Sequence, residues 1–130
     1  MGQVDWLAVA LGTLAFFLVG ALWYGGLFRK AWQAEAGVDD PPRGAAGAKV
    51  MLGTLFAEFM VVAMLGHLIA RTQPPGHVKL MMAAGFALTV MAPAIGISYL
   101  HQKRSMQLFL IDAGHYLVGM LAAGAVFALR

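Results

Sequence analysis

The chain has 130 residues, 61% of them hydrophobic and 12% charged, with a net charge of +3 and a mean hydropathy of +0.76. These values lie outside the range of soluble globular domains, and the nine Lys and Arg residues sit at the ends of apolar runs, which excludes a nucleic-acid partner read from basic charge. With no cysteine, disulfides, thiolate metal sites and cysteine catalysis are excluded too, and chemistry falls to carboxylates, imidazoles, phenols or indoles.

In chain order, four runs are long enough to cross a membrane, at about 6–28, 50–70, 79–100 and 107–129, given roughly 20 apolar residues per crossing of a roughly 30 Å hydrocarbon layer. The first, WLAVALGTLAFFLVGALWYGGLF, is expected to stay on the mature protein. It is too long for a signal peptide, no basic n-region precedes it and no small-residue cleavage site comes after it. Residues 29–49, RKAWQAEAGVDDPPRGAAGAK, form the one long loop, in which AWQAEAG reads as one or two interfacial helical turns ended by DDPPRG. The second run holds Glu58 and His67. ARTQPPGHVK leads tightly into the third, where Pro93 is predicted to kink the helix by removing an i→i−4 bond, with Gly85, Thr89 and Gly96 on the protein-facing side. HQKRS leads into the fourth, which carries LFLIDAGHYLVGM.

Lipid cannot satisfy an exposed backbone, and four short segments cannot close a barrel, so each run is helical. The tight connections make helices two and three, and three and four, antiparallel neighbours. The expected fold is an all-α integral membrane four-helix bundle, residues 1–130 forming a single transmembrane domain against the lipid bilayer. Arg29, Lys30, Arg43, Lys49, Lys103 and Arg104 share one face, and Arg71, Lys79 and Arg130 the other. The excess of basic residues on cytoplasmic faces then places both termini in the periplasm, in a bacterial inner membrane.

Depth groups the polar residues. Glu58 comes nine residues after Lys49 and His115 eight after Gln107, so both lie roughly 12 to 14 Å below the same face at about 1.5 Å per residue. Asp112 is about one turn shallower, near the depth of Trp23 and Tyr24, while Tyr99 comes just before His101. Asp112, His115, Tyr116, Gly119 and Ala123 share one side of the fourth helix, and that side faces protein. His67 points away from Glu58, near the opposite interface.

Glu58, Asp112, His115, Trp23, Tyr24 and Tyr99 are therefore the candidate ligand- or proton-binding residues, with Asp112 and His115 expected to form a net-neutral pair. A carboxylate at the bilayer centre costs about 2.5 to 3.5 kcal/mol, so Glu58 must be protonated, paired or in contact with water. The plainer alternative is interhelical bonding, worth about 0.6 to 2 kcal/mol per bond, with the aromatic residues as interfacial anchors. Asp112 and His115 have the spacing of ligands in carboxylate-bridged di-iron bundles, but one chain supplies half the ligands such a site needs, so no metal and no cofactor is expected. Ser98 and Ser105 lack a nucleophile elbow or oxyanion loop, so no enzyme activity is expected.

GALWYGGLFRKAW at 20–32, the lone Glu58 of the second helix, YLHQKRSMQLFLIDAGHYLVGM at 99–120 and the WLAV start together resemble the bacterial membrane family filed as domain-of-unknown-function 1761. The resemblance runs the length of the chain. It implies a four-helix membrane protein with no established activity, and its Trp-Tyr-Gly and Ile-Asp-x-Gly-[His/Tyr] elements carry over onto Trp23, Tyr24 and Asp112, with Glu58 beside them.

Two functional classes are compatible with these features. In one, the buried acid and the aromatic rings bind a small amphiphilic or cationic ligand, and proton exchange drives its movement. The physical parallel is with the small multidrug resistance transporters, a likeness of architecture alone. In the other, the chain is an accessory or scaffold subunit of a larger membrane complex and the polar cluster is interhelical glue. A homo-oligomer or a larger complex is expected in either case.

Overall fold

The computed structural model describes residues 2–130 and consists of five helices: α1 (Trp6–Leu27), α2 (Arg29–Ala36), α3 (Gly44–Thr72), α4 (Gly76–His101) and α5 (Met106–Leu129). All but α2 are long and apolar enough to cross a membrane, and the described residues contain no strand. The architecture is that of a helical, multi-pass membrane protein.

The helix ends are set by local chemistry. Asp5 caps α1, its Oδ1 accepting from the Ala8 N–H at 3.0 Å, and Ser105 caps α5, its Oγ accepting from the Leu108 N–H at 3.1 Å. Each such cap contributes about 1 kcal/mol. The interfacial turns expected in AWQAEAG are the eight-residue α2, which ends at Gly37 with φ +72°, a conformation that glycine adopts without steric cost. α3 begins at Gly44, earlier than the expected start near residue 50, because nothing after Arg43 interrupts GAAGAK. Its 29 residues make a helix about 43 Å long at roughly 1.5 Å per residue, longer than the roughly 30 Å hydrocarbon layer. The helix therefore extends beyond that layer or tilts within it, and the loop before it is shorter than 29–49.

α5 is the central element, packed along both α1 and α4, while α1 also carries α3, side chains of α3 and α5 meeting together at its Gly12 and Gly20. The core joins Val9 and Phe16 of α1 to Val62 and Leu65 of α3, Ala83 and Ala87 of α4, and Met120 of α5. Small residues allow this close approach. A Cβ at Gly119 would lie 2.6 Å from the Phe16 ring, so that position admits only glycine while Phe16 stays where it is. The expected contact between helices two and three is slight, despite their tight connection: α1 and α5 take up the inward faces of both.

α4 presents Ala83, Ala87 and Ala92 inward. Thr89, expected on that side, is exposed and its hydroxyl bonds back to the Gly85 carbonyl at 2.6 Å. Gly85 is half-buried, and Gly96 lies against Phe109, whose ring would be 3.2 Å from an added Cβ. Thr89 lies two positions after the inward Ala87, which turns it away from the core, whereas the π-helical turn Ala87–Met91 brings Ala92, five positions after Ala87, onto the inward side. Pro93, the residue expected to kink the helix, comes two positions after this turn.

Contacts at the two ends define the faces. At one, the Gly2 N–H donates to the Ala70 carbonyl at 3.0 Å, Arg130 Nε donates to Asp5 Oδ2 at 2.6 Å and Lys79 Nζ donates to the Phe127 carbonyl at 2.9 Å. The Arg130 hydrogen bond, and after it the Ala8 N–H, hold the Asp5 carboxyl below its ordinary pKa. At the other face Ser105 Oγ donates to Glu35 Oε2 at 2.5 Å and Arg104 donates to the Ala36 carbonyl. These bonds tie α2 to the start of α5.

Candidate functional site

The sequence WYGGL at the end of α1 forms a second π-helical turn, Trp23–Leu27, closed by the Phe28 N–H donating to the Trp23 carbonyl at 2.8 Å. A wider turn separates neighbouring side chains less in angle than an α turn does, and Trp23 and Tyr24 both reach α5. The Trp23 indole N–H donates to the Ile111 carbonyl at 2.9 Å. Tyr24 donates its hydroxyl to Asp112 Oδ1 at 2.5 Å. From α4, the Tyr99 hydroxyl donates to Asp112 Oδ2. Asp112 is thus buried with one phenol donating to each carboxyl oxygen, so that both oxygens are satisfied from two different helices. Trp32 of α2 packs edge-on against Tyr24, ring centres 5.6 Å apart, and covers this end of the cluster.

One turn further along α5 lies His115, 6% exposed. Its ring sits among Phe16 at 5.4 Å, Tyr24 at 5.0 Å and Tyr116 at 5.3 Å. Its Nε2 is 4.0 Å from Glu58 Oε1, too far for a hydrogen bond. Glu58 is 7% exposed, and its Oε2, like both ring nitrogens of His115, has no hydrogen-bond partner among the described residues. Buried polar atoms are nearly always paired, so three orphaned atoms in one place call for an explanation. Room for them comes from α1: a Cβ at Gly20 would stand 2.9 Å from His115 Nε2 and 3.8 Å from Glu58 Oε1.

The six expected residues fall into two groups. Trp23, Tyr24, Tyr99 and Asp112 form a bonded cage, and Glu58 faces His115 beside it. The expected Asp112–His115 pair is not what the geometry gives: both Asp112 oxygens are taken by phenols, and the carboxylate facing His115 is Glu58. Phe16, Gly20 and Tyr116 complete the surroundings and were not among the candidates. Tyr116 shares the helix side of His115, which is a usable signal. Gly20 has none in the sequence, because its role depends on how α1 is set against α5. His67 lies toward the other interface, edge-on to Trp6 at 5.6 Å.

Among the described residues no three His, Asp or Glu side chains converge as metal ligands. The cluster offers instead a carboxyl able to accept or give a proton, an imidazole opposite it, and aromatic faces able to hold a cation. Two surface cavities, of about 420 Å³ and 320 Å³, lie at the face of Asp5 and Arg130 and touch none of these residues.

Long apolar helices gathered around a buried acid, imidazole and phenol cluster define a small polytopic helical membrane protein. Residues 7–128 match the family described as protein of unknown function (DUF1761), and the chain belongs to that family. No curated protein and no solved structure matches it.

Proposed function

We propose that the chain binds a small amphiphilic or cationic ligand within the membrane and couples its binding or movement to proton exchange at Glu58, without covalent chemistry. The observation that carries this reading is the facing of Glu58 and His115 in a buried setting with three polar atoms unpartnered. Bonded neighbours would suffice if the pair served packing alone; unpaired polar groups in lipid cost several kcal/mol each. In this reading Glu58 is the counter-ion and proton carrier, His115 its exchange partner, and Phe16, Tyr24 and Tyr116 the aromatic walls for the cation. Asp112, Trp23 and Tyr99 hold the helices in register around it. In this reading the site lies in the cytoplasmic half of a bacterial inner membrane with periplasmic termini, a placement supported by the excess of basic residues on the face of Arg29 and Lys103, and a homo-oligomer would complete the assembly.

The accessory or scaffold reading is favoured by a different observation, the fully committed bonding of Asp112, which is what interhelical glue requires. The two readings separate in a proton-release measurement. Tetraphenylphosphonium, an apolar monovalent cation, is added to detergent-purified protein in weakly buffered solution and the pH is monitored. Release is expected from the unmodified protein, none from Glu58→Gln, and less from Asp112→Asn. Undiminished release from Glu58→Gln removes Glu58 as carrier. Absence of release from any form, together with co-purification at fixed stoichiometry with other subunits, supports the scaffold.

A further inference from the structure

At the opposite face, a cavity of about 420 Å³ opens between the N-terminal residues and the end of α3, with Gln3, Val4, Trp6, His67 and Arg71 in its lining. Its wall is tied in place. The Gly2 N–H donates to the Ala70 carbonyl at 3.0 Å, and a Cβ at Gly2 would collide with the Gln73 side chain. Residues 2–5 therefore strap across the end of α3 before Asp5 starts α1.

The lining combines an uncommitted cation with an oriented imidazole. Arg130 is engaged by Asp5 at 2.6 Å and Lys79 by the Phe127 carbonyl at 2.9 Å, whereas Arg71 takes part in neither ion pair among the described residues. His67 Nδ1 lies 2.8 Å from the Ala63 carbonyl. A carbonyl only accepts, so Nδ1 carries the hydrogen and the Nε2 of the neutral ring is left as an acceptor. The edge-on contact of Trp6, at 5.6 Å, fixes the ring plane. Arg71 comes one helical turn after His67 and shares its side of α3.

That side continues into the hydrocarbon layer as Met64, Met60 and Phe56, 53%, 56% and 65% exposed. A cation at the interface above an open apolar ridge fits a ligand with an anionic head and an apolar tail. A soluble phosphate would leave the ridge unused. The negative end of the α3 dipole opposes an anion here, so the attraction must come from Arg71.

We propose that this cavity binds the headgroup of an anionic, hydroxyl-bearing phospholipid, its phosphate on the Arg71 guanidinium, a headgroup hydroxyl donating to His67 Nε2, and an acyl chain along Met64, Met60 and Phe56. The reading is independent of the Glu58 cluster. Its test is lipid enrichment. Protein is reconstituted in vesicles of equal phosphatidylglycerol and phosphatidylcholine, extracted mildly, and its retained lipid counted by mass spectrometry. Phosphatidylglycerol should be enriched, and Arg71→Gln should cut the enrichment roughly fivefold, the worth of one interfacial cation. Arg71→Lys, which keeps the charge, should retain most of it, and Arg104→Gln, which removes a charge from the other face, should leave it unchanged. Equal loss with Arg104→Gln would reduce the effect to diffuse charge and overturn the site, as would no loss with Arg71→Gln. Displacement of the lipid by free glycerol phosphate would assign the cavity to a soluble anion instead.

Discussion

Asp112 and Glu58 are both acids buried within membrane-crossing helices, each 7% exposed, yet the protein treats them oppositely. Asp112 stands where α1, α4 and α5 converge, and two of those helices each supply a phenol to it. Glu58 stands on α3, which is packed mainly on α1 and touches α4 little. Its facing group is an imidazole 4.0 Å away, across the space that Gly20 leaves open. The difference teaches that a polar residue in a span is not one kind of object. Where several helices meet, an acid is saturated with donors and fixes their register. Where one helix stands apart, the same burial leaves an acid with free valence.

The comparison breaks or holds under substitution. The largest effect is expected from Asp112→Ala, which strips the acceptor from Tyr24 and Tyr99 together. Loss of a shared acceptor for two partly buried hydroxyls should destabilise the protein by about 2 to 4 kcal/mol, seen as a lower thermal midpoint in detergent. A midpoint no lower than that of Tyr99→Phe alone would show that the cage does not hold the helices. Next comes Gly20→Ala, whose methyl must displace His115. Overpacking of this kind costs about 1 to 3 kcal/mol, and tetraphenylphosphonium-driven proton release should fall with it; adding His115→Ala should recover the stability but not the release. Glu58→Gln should change stability by under about 1 kcal/mol, because the carboxyl has no hydrogen bond to lose, while removing proton release. Destabilisation by Glu58→Gln equal to that of Asp112→Ala would erase the distinction between the two acids.

The helical membrane fold was legible because hydropathy and run length report directly on burial in lipid, and the family pattern covers nearly the whole chain. The inward side of α5 was legible too: regular spacing places Asp112, His115, Tyr116, Gly119 and Ala123 on one side, and all are buried except the half-buried Tyr116. Spacing failed on α4, where an apolar run offers two faces of similar character: Ala83 and Ala87 turn inward and leave Thr89, two positions on, facing outward. The partners of the acids were harder still. Three-residue separation on α5 suggested that Asp112 would meet His115, but a side chain's partner is decided by what the neighbouring helices bring. Tyr24 and Tyr99 came from helices whose rotation about their own axes no one-dimensional pattern records, and the gap at Gly20 exists only once α1 is set against α5.

A third acid, Asp5, supplies the exposed counterpart and the smallest expected effect. It lies outside the spans, and the hydrogen bond from Arg130, reinforced by the Ala8 N–H, holds its folded-state pKa below the ordinary value. Both partners favour the charged form. The stabilisation is therefore fully present above the unfolded pKa near ~3.9 and is lost as pH falls through the lower folded-state value. Its size is small because the pair is open to solvent and screened by salt. Asp5→Asn isolates the charge, since asparagine caps a helix as well as aspartate does. The thermal midpoints of Asp5→Asn and the unmodified protein should differ slightly at about pH 6 and converge on acidification to below about pH 3, and salt at about 1 M should shrink the difference at neutral pH. A difference that persists unchanged into acid would mean that the ion pair does not join the chain's ends, and that the Ala8 cap and the Gly2 bond to Ala70 hold residues 2–5 in place.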